Sequence, residues 1–227
     1  MSACSTSELM ACELAARLHD DEIVIIGGAS PVPMAAALLA QRTTAPNLTL
    51  LTGSGAVNPR PSRLALSGGD YVYVESAEAY FTMEDVFDDT ERGRWDVGIF
   101  GGLQIDRHGH FNLTLVGGFR GPGLVNAGLP RTVKRSLLCV ERHTPRVFVE
   151  DVDFVSGSGN DACVTDLACL DFSGDAALVS VHPGVSEETV RERTGFALAG
   201  TPDRTPEPSA DVLEVLRRDI DSTGVLA

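Results

Sequence analysis

The segment Gly101-Gly102-Leu103-Gln104-Ile105-Asp106-Arg107-His108-Gly109-His110-Phe111-Asn112 concentrates more chemistry than any other part of this sequence. An apolar stretch, Trp95 to Phe100, runs into a double glycine, where the backbone can approach a ligand because no Cβ intervenes. Free N–H groups there can hold a carbonyl oxygen or a carboxylate. Gly101, Gly102 and Gln104 are therefore candidates to border a substrate pocket; the plainer reading is a strand corner that needs glycine for geometry alone. Asp106-x-His108-x-His110 offers metal-ligating types, since imidazoles two apart on a strand share a face. The turn around Gly109 breaks that strand, so no metal site is expected.

A second glycine loop, Leu51-Thr52-Gly53-Ser54-Gly55-Ala56, follows another apolar strand. Ser54 acts as a nucleophile only with a base beside it, and the sequence places no histidine nearby. It reads as a hydrogen-bond donor to a substrate or as a turn residue. Glu75 and Glu78 lie after the next apolar run, and either carboxylate, if buried, could serve as a general base. Solvated acids are the plainer reading. Gly117-Gly118-Phe119-Arg120-Gly121-Pro122-Gly123 is a third glycine-dense loop, with Gly117, Gly118 and Arg120 as candidate ligand contacts. Gly27-Gly28-Ala29-Ser30-Pro31 fails as a dinucleotide site, because G-x-G-x-x-G is absent and Pro31 and Pro33 occupy the turn.

Periodicity supplies the elements that must carry these loops. Residues 7–19 place Leu9, Met10, Leu14 and Leu18 at helical spacing. Ile23–Ile26 is a buried strand, and Pro31–Gln41 a helix with Ser30 as its N-cap. Strands are expected at Leu48–Leu51, Tyr71–Val74, 95–100, 110–115, 136–141 and 146–150. Helices are expected at Met83–Gly93 and, as a tail, Ala210–Ile220. Strands alternating with helices, then a strand-rich half, predict an α/β fold with an open mixed or mainly parallel sheet flanked by helices. Ligands of such sheets sit at the carboxyl ends of strands, where the loops from Gly27, Thr52, Gly101 and Gly117 begin.

A chain of 227 residues with 43% hydrophobic content suits one large α/β domain, expected to span 1–227. No apolar run approaches the ~18–20 residues of a membrane span, and the N-terminus lacks a basic leader, so a cytoplasmic location is expected. The five cysteines form no C-x-x-C pair, which disfavours a disulfide framework or zinc knuckle. A net charge of −14 argues against nucleic acid or an anionic membrane as partner. The single lysine, Lys134, sits beside Arg131 and Arg135, with Arg142 and Arg146 further on. This run is either a local phosphate patch or a solvated basic face.

Gly101–Asn112, together with His182-Pro183-Gly184-Val185 and Arg193-Thr194-Gly195-Phe196, resembles the β subunits of class I CoA-transferases of the glutaconate type. The motifs occur in matching order over about residues 5–220. The resemblance implies that fold, an α-type partner in an αβ or α2β2 assembly, no tightly bound cofactor, and coenzyme A as part of the substrate. It also implies a glutamate in the Leu51–Ala56 loop, the nucleophile that attacks the acyl-CoA and carries CoA as a glutamyl thioester. Gly53 stands there instead, followed by the expected Ser54-Gly55. Glycine offers no nucleophile, so ordinary CoA transfer is excluded on this reading.

The runs Ser76-Ala77-Glu78, Asp85-Val86-Phe87-Asp88 and Arg92-Gly93-Arg94 resemble the glutamate-lacking β subunits of two-subunit methylglutaconyl-CoA decarboxylases. The two-subunit hydrolase that opens the last steroid ring as a CoA thioester is similar too. What the resemblance implies is lyase or hydrolase chemistry on an acyl-CoA, with decarboxylation of a dicarboxylic enoyl-CoA ahead of C–C hydrolysis. Gly53 would leave room, Ser54 and Gly55 would orient the substrate, and the general acid or base would come from the partner. The alternatives are true transfer through a displaced carboxylate such as Glu75, or a non-catalytic acyl-CoA-binding subunit.

Overall fold

The computed structural model describes residues 4–28, 31–121, 128–159 and 161–227. Contacts gather into two compact units, Met1–Ile99 with Glu207–Ala227, and Phe100–Pro206.

The first unit contains α1 (Thr6–Ala15), β1 (Ile23–Ile26), α2 (Pro31–Arg42), β2 (Thr49–Thr52), β3 (Ala56–Val57), α3 (Tyr71–Glu75), β4 (Ala79–Tyr80), α4 (Met83–Glu91) and most of β5 (Val97–Phe100). Its strand order is β5-β1-β2-β3-β4. β1 lies parallel to β2 and β5, while β3 and β4 add antiparallel strands at the edge. Fully apolar strands such as Ile-Val-Ile-Ile belong at the centre of a parallel sheet, covered on both faces. α2 is buried from Val32 to Ala40, because α1 and the tail cover its outer side while it packs on β1.

The ends of the sequence meet in this unit. Ser5 caps α1 in a capping box with Glu8. The same Glu8 carboxylate accepts from Arg217 Nη2 at 2.7 Å, and Ser5 Oγ donates to the Leu226 carbonyl. The Arg217 hydrogen bonds hold the Glu8 carboxyl below its usual range.

The second unit carries β6 (Gln104–Ile105), β7 (His110–Asn112), β8 (Leu115–Val116), β9 (Phe119–Arg120), α5 (Leu129–Thr132), β10 (Arg135–Val140), β11 (Gly157–Ser158), β12 (Ala162–Thr165), β13 (Ala168–Asp171), β14 (Ala177–Val181), α6 (Glu187–Glu192) and β15 (Asp203–Arg204). Its larger sheet runs β15-β14-β13-β12-β10, parallel at β10–β12 and β14–β15 and antiparallel between them. A three-stranded sheet β11-β7-β6 and a hairpin β8-β9 complete it. The architecture is the expected α/β one, with mixed sheets and parallel pairs at their core.

Several boundaries moved. Tyr71–Val74, expected as a strand, is helical, because Asp70 caps it by accepting from the Val72 N–H at 3.0 Å. Tyr73 alone anchors that turn, accepting the Ala65 N–H at 3.0 Å on its buried hydroxyl. Residues 146–150 form no strand; after the Thr144-Pro145 turn Phe148 makes a single parallel bridge to Ile105. The first helix stops at Ala15, and α4 ends before Gly93, whose φ of 62° suits glycine. The tail helix covers Ala210–Val215 and continues as a π-helical turn over Leu216–Ile220. The expected Ser30 cap lies outside the described residues.

Candidate functional site

Three glycine segments meet at the carboxyl ends of β1 and β2. The parallel register pairs Ile26 with Thr52, so the chain leaves both strands at the same level. Gly53 consequently abuts Gly27 and Gly28: a Cβ built on Gly53 would stand 3.2 Å from the Gly28 nitrogen and 3.3 Å from the Gly27 carbonyl carbon. Gly68 closes a third side, its N–H donating to the Gly28 carbonyl. A Cβ there would lie 2.9 Å from the Gly27 oxygen. Gly27, Gly28, Gly53 and Gly69 are exposed, whereas Gly55 and Gly68 are buried. The result is a corner of accessible backbone with almost no side chain on it.

Gly55 has a structural reason of its own. Its φ is +87°, and a Cβ would collide with the Phe81 carbonyl. The Gly55 N–H donates to the Thr52 carbonyl at 2.9 Å, and its carbonyl accepts from Phe81 at 2.8 Å. Ser54 is half-buried, and its hydroxyl pairs with the Thr52 hydroxyl at 2.8 Å. Thr52, itself buried, accepts the Ala56 N–H at 3.2 Å. No imidazole or carboxylate bonds to Ser54 among the described residues, so its hydroxyl is not activated for attack.

Neither sequence-derived carboxylate is brought to this corner as a buried base. Glu75 is the exposed last residue of α3. Glu78 accepts from Asn58 Nδ2 at 3.1 Å and Arg60 Nη2 at 3.2 Å. Asn58 in turn caps the Leu50 N–H at 2.9 Å, and Gln41 Nε2 reaches both Asn58 and the Leu48 carbonyl. Glu78 therefore belongs to the entry end of β2, opposite the end at Gly53. There it lines a polar cavity of about 410 Å³ together with Arg42, Asn47 and Arg60.

Gly101, Gly102 and Gln104 belong to the second unit. Gly101 is exposed; a Cβ on Gly102 would press on Ile105, 2.7 Å from Cγ1. Gln104 is buried and its polar atoms are already engaged. Its Oε1 accepts from Asn112 Nδ2 at 2.9 Å and from the Asp153 N–H at 3.0 Å, and its Nε2 donates to Asp153 Oδ2 at 3.1 Å. The side chain ties β6, β7 and the Asp153 loop together, a positioning part rather than a free ligand donor. The sequence reading missed Asn112 and Asp153, which no local spacing links to Gln104.

Asp106 closes the hairpin tip. Its Oδ1 accepts the N–H groups of His108 and His110, and its Oδ2 pairs with His110 Nδ1 at 3.0 Å. Gly117 and Gly118, at φ +53° and +87°, form the two-residue turn between β8 and β9. Arg120 is exposed on that hairpin, and Pro122 and Gly123 lie outside the described residues. Gly68 and Gly69 were also missed; a double glycine before a capping Asp70 is the signal that could have found them.

The two motifs near the end of the sequence form a buried polar chain. Thr194 Oγ1 donates to the Val190 carbonyl at 2.8 Å, so it accepts from His143 Nε2 at 2.9 Å. His143 Nδ1 is then left as acceptor toward the Thr165 hydroxyl at 3.1 Å. His182 Nε2 meets the Thr165 carbonyl at 2.8 Å, and its Nδ1 meets Thr205 at 2.9 Å. His143 also stacks on Phe148, with ring centroids 4.0 Å apart. Burial, with Arg193 nearby, pushes the His143 pKa down to about 3. His182 and Thr194 thus hold the fold rather than the chemistry.

An α/β chain with glycine-edged strand ends and motifs of this order has the fold of the CoA-transferase class. Residues 8–193 match the family described as Coenzyme A transferase, and the chain belongs to it. It is 32% identical to one of the two chains of the 3-oxoadipate CoA-transferase of Pseudomonas knackmussii, covering 96% of this chain and 94% of that one. It is 30% identical to the cholesterol ring-cleaving hydrolase IpdB subunit of Rhodococcus jostii, covering 85% and 84%. The crystal structure of the decarboxylase AibA/AibB superposes with a TM-score of 0.86 at 30% identity, over 98% of this chain and 97% of that one. No helix among the described residues is long and apolar enough to cross a membrane.

Proposed function

We propose that this chain is the β-type subunit of a two-subunit enzyme that acts on an acyl-CoA thioester by lyase or hydrolase chemistry. Decarboxylation of a dicarboxylic enoyl-CoA is the first candidate and C–C hydrolysis the second. The observation that carries this reading is Gly53. The position that the family resemblance reserves for a nucleophilic carboxylate is a bare backbone corner, exposed and walled by Gly27, Gly28 and Gly68.

Chemically, removing the carboxylate removes the covalent acyl intermediate. It leaves accessible N–H groups and space for a substrate carboxylate or a water. Decarboxylation then needs a desolvated carboxylate and an electron sink, and a conjugated thioester is such a sink. Coenzyme A enters as part of the substrate. Ser54, fixed on Thr52, keeps a hydroxyl for orienting it. The proton-transfer group comes from an α-type partner.

Similarity to a chain of a 3-oxoadipate CoA-transferase favours a second reading, transfer through a displaced carboxylate. The placement of Glu78 at the far end of β2 weighs against that residue, leaving Glu75 as the acid to test.

The chain co-purified with its α-type partner and given glutaconyl-type and 3-oxoacyl-CoA thioesters, with and without acetate, separates the two. Acetate-independent release of carbon dioxide, or uptake of water, is expected. Turnover that requires acetate and yields acetyl-CoA overturns the lyase or hydrolase reading.

A further inference from the structure

Five large apolar side chains of the first unit are exposed among its described residues, and all lie between residues 66 and 87. They are Leu66 (72% exposed), Tyr71 (70%), Tyr80 (58%), Met83 (44%) and Phe87 (42%). Scattered apolar residues on a surface need no explanation, but a local concentration of this kind marks a contact face. The unit shows that it can bury aromatics where its own packing calls for it: Tyr73, two residues from Tyr71, is fully buried.

These side chains bracket the glycine corner. Leu66 and Tyr71 flank Gly68, whose N–H holds the Gly28 carbonyl. The Tyr80 ring lies 3.4 Å from a Cβ built on Gly55. Phe81, next to Tyr80, is hydrogen-bonded to Gly55 and leads into α4, where Met83 and Phe87 stand four apart on one helical face.

The charge around the patch decides what can cover it. Residues 66–91 include eight acidic residues and no lysine, arginine or histidine. Arg60, Arg63, Arg92 and Arg94, just outside, pair with Glu78, Asp70, Asp88 and Asp89. Glu75, Glu84 and Glu91 form no ion pair with arginine or lysine among the described residues. A second copy of the chain would set this acidic rim against itself, and an anionic lipid surface would be repelled in the same way. The complementary surface is apolar at its centre and basic at its edge, and it belongs to a different protein.

We propose that Leu66, Tyr71, Tyr80, Met83 and Phe87 seat the α-type partner subunit, and that docking there walls off the glycine corner from water. The inference rests on the two-subunit reading above and names the surface that reading requires. It places the partner's proton-transfer group opposite Gly53, and it gives the partner a basic contact rim that also suits an anionic CoA thioester.

The test is affinity for the α-type subunit from the same source, measured by sedimentation and titration calorimetry. Leu66→Glu, Tyr71→Glu and Phe87→Glu are compared with Val179→Glu, an exposed apolar position in the other unit. All four sites are exposed, and melting temperature checks that each chain folds. The expected result is about tenfold or greater loss of affinity for the first three, none for Val179→Glu, and weaker binding as salt rises. A complex that forms with the unaltered chain and survives all three substitutions overturns this surface alone. No complex with the unaltered chain overturns the two-subunit reading and this surface together. Self-association abolished by the same substitutions shows a second copy in that place and also overturns the proposal.

Discussion

Gly53 packs on Gly28 closely enough that a Cβ on the first would stand 3.2 Å from the backbone nitrogen of the second. The contact is tight but does not forbid a side chain. Gly53 does not occupy the left-handed region, in contrast to Gly55 beside it. The missing side chain at this position is therefore not dictated by backbone conformation, and chemistry is the better reason for it.

Gly53→Glu is accordingly expected to fold, with the Gly27-Gly28 backbone giving by a few tenths of an ångström. A carboxylate would fill the corner where the substrate group is to lie. Acetate-independent turnover is expected to fall by about 100-fold or more, with less than ~1.5 kcal/mol lost in stability. Steady-state kinetics beside a urea titration checks both halves. Full retained activity would remove the substrate from this corner.

Gly55→Ala should behave in the opposite manner. Its φ of +87° and the Phe81 carbonyl in the path of a Cβ make alanine costly by about 2 kcal/mol or more. Gly69→Ala is the control, because its Cβ would meet only Ser67 Oγ at an ordinary 3.5 Å. Thermal melts of the two variants should differ by several degrees, and equal melts would contradict the tight turn.

Gln104→Leu leaves the Asn112 amide and the Asp153 N–H without their shared acceptor. A loss of about 2–3 kcal/mol is expected from the unsatisfied buried groups. If Gln104 positions rather than binds, Gln104→Glu, which keeps an acceptor for Asn112 and the Asp153 N–H, should recover part of that stability. Urea unfolding of the two variants is the measurement, and equal losses would deny the acceptor role.

His143 makes the fold acid-sensitive. Its folded pKa is pushed below the unfolded value of about 6.5, down to about 3. Between these values the unfolded chain holds a proton that the folded one excludes, so stability falls as pH falls through that window. The slope approaches 1.4 kcal/mol per pH unit at most. Glu8 acts in the same direction at lower pH: its lowered pKa gives stability that is present above the usual carboxylate range and lost below it. His143→Gln should flatten the curve between pH 6.5 and 4.5 even if it lowers the plateau. An unchanged slope would assign the acid sensitivity elsewhere.

Local patterns that repeat in sequence determined much of this protein. Ile23–Ile26 had to be a covered strand, Gly27 and Gly53 had to leave strand ends, and Ser5 and Glu8 spelled a helix start, because these depend on neighbours a few residues away. The family order of motifs made the α/β class legible, and it made the lone glycine at position 53 stand out. Where alternation misled, at Tyr71–Val74, the Asp70 cap and the Tyr73 anchor outweighed β propensity, a tertiary decision over a weak local preference.

What only the tertiary structure decided are the meetings between distant segments. The register of β1 on β2 set Gly53 against Gly28, and Gly68 joined them from another loop. Glu78 went to the opposite end of β2, because pairing of β3 with β2 and of β4 with β3 fixes which strand end a residue reaches. Gln104 found Asp153 forty-nine residues away, and His143 found Thr194 across fifty-one. No local spacing encodes such pairs; they follow from sheet register and from the need of buried polar atoms for partners.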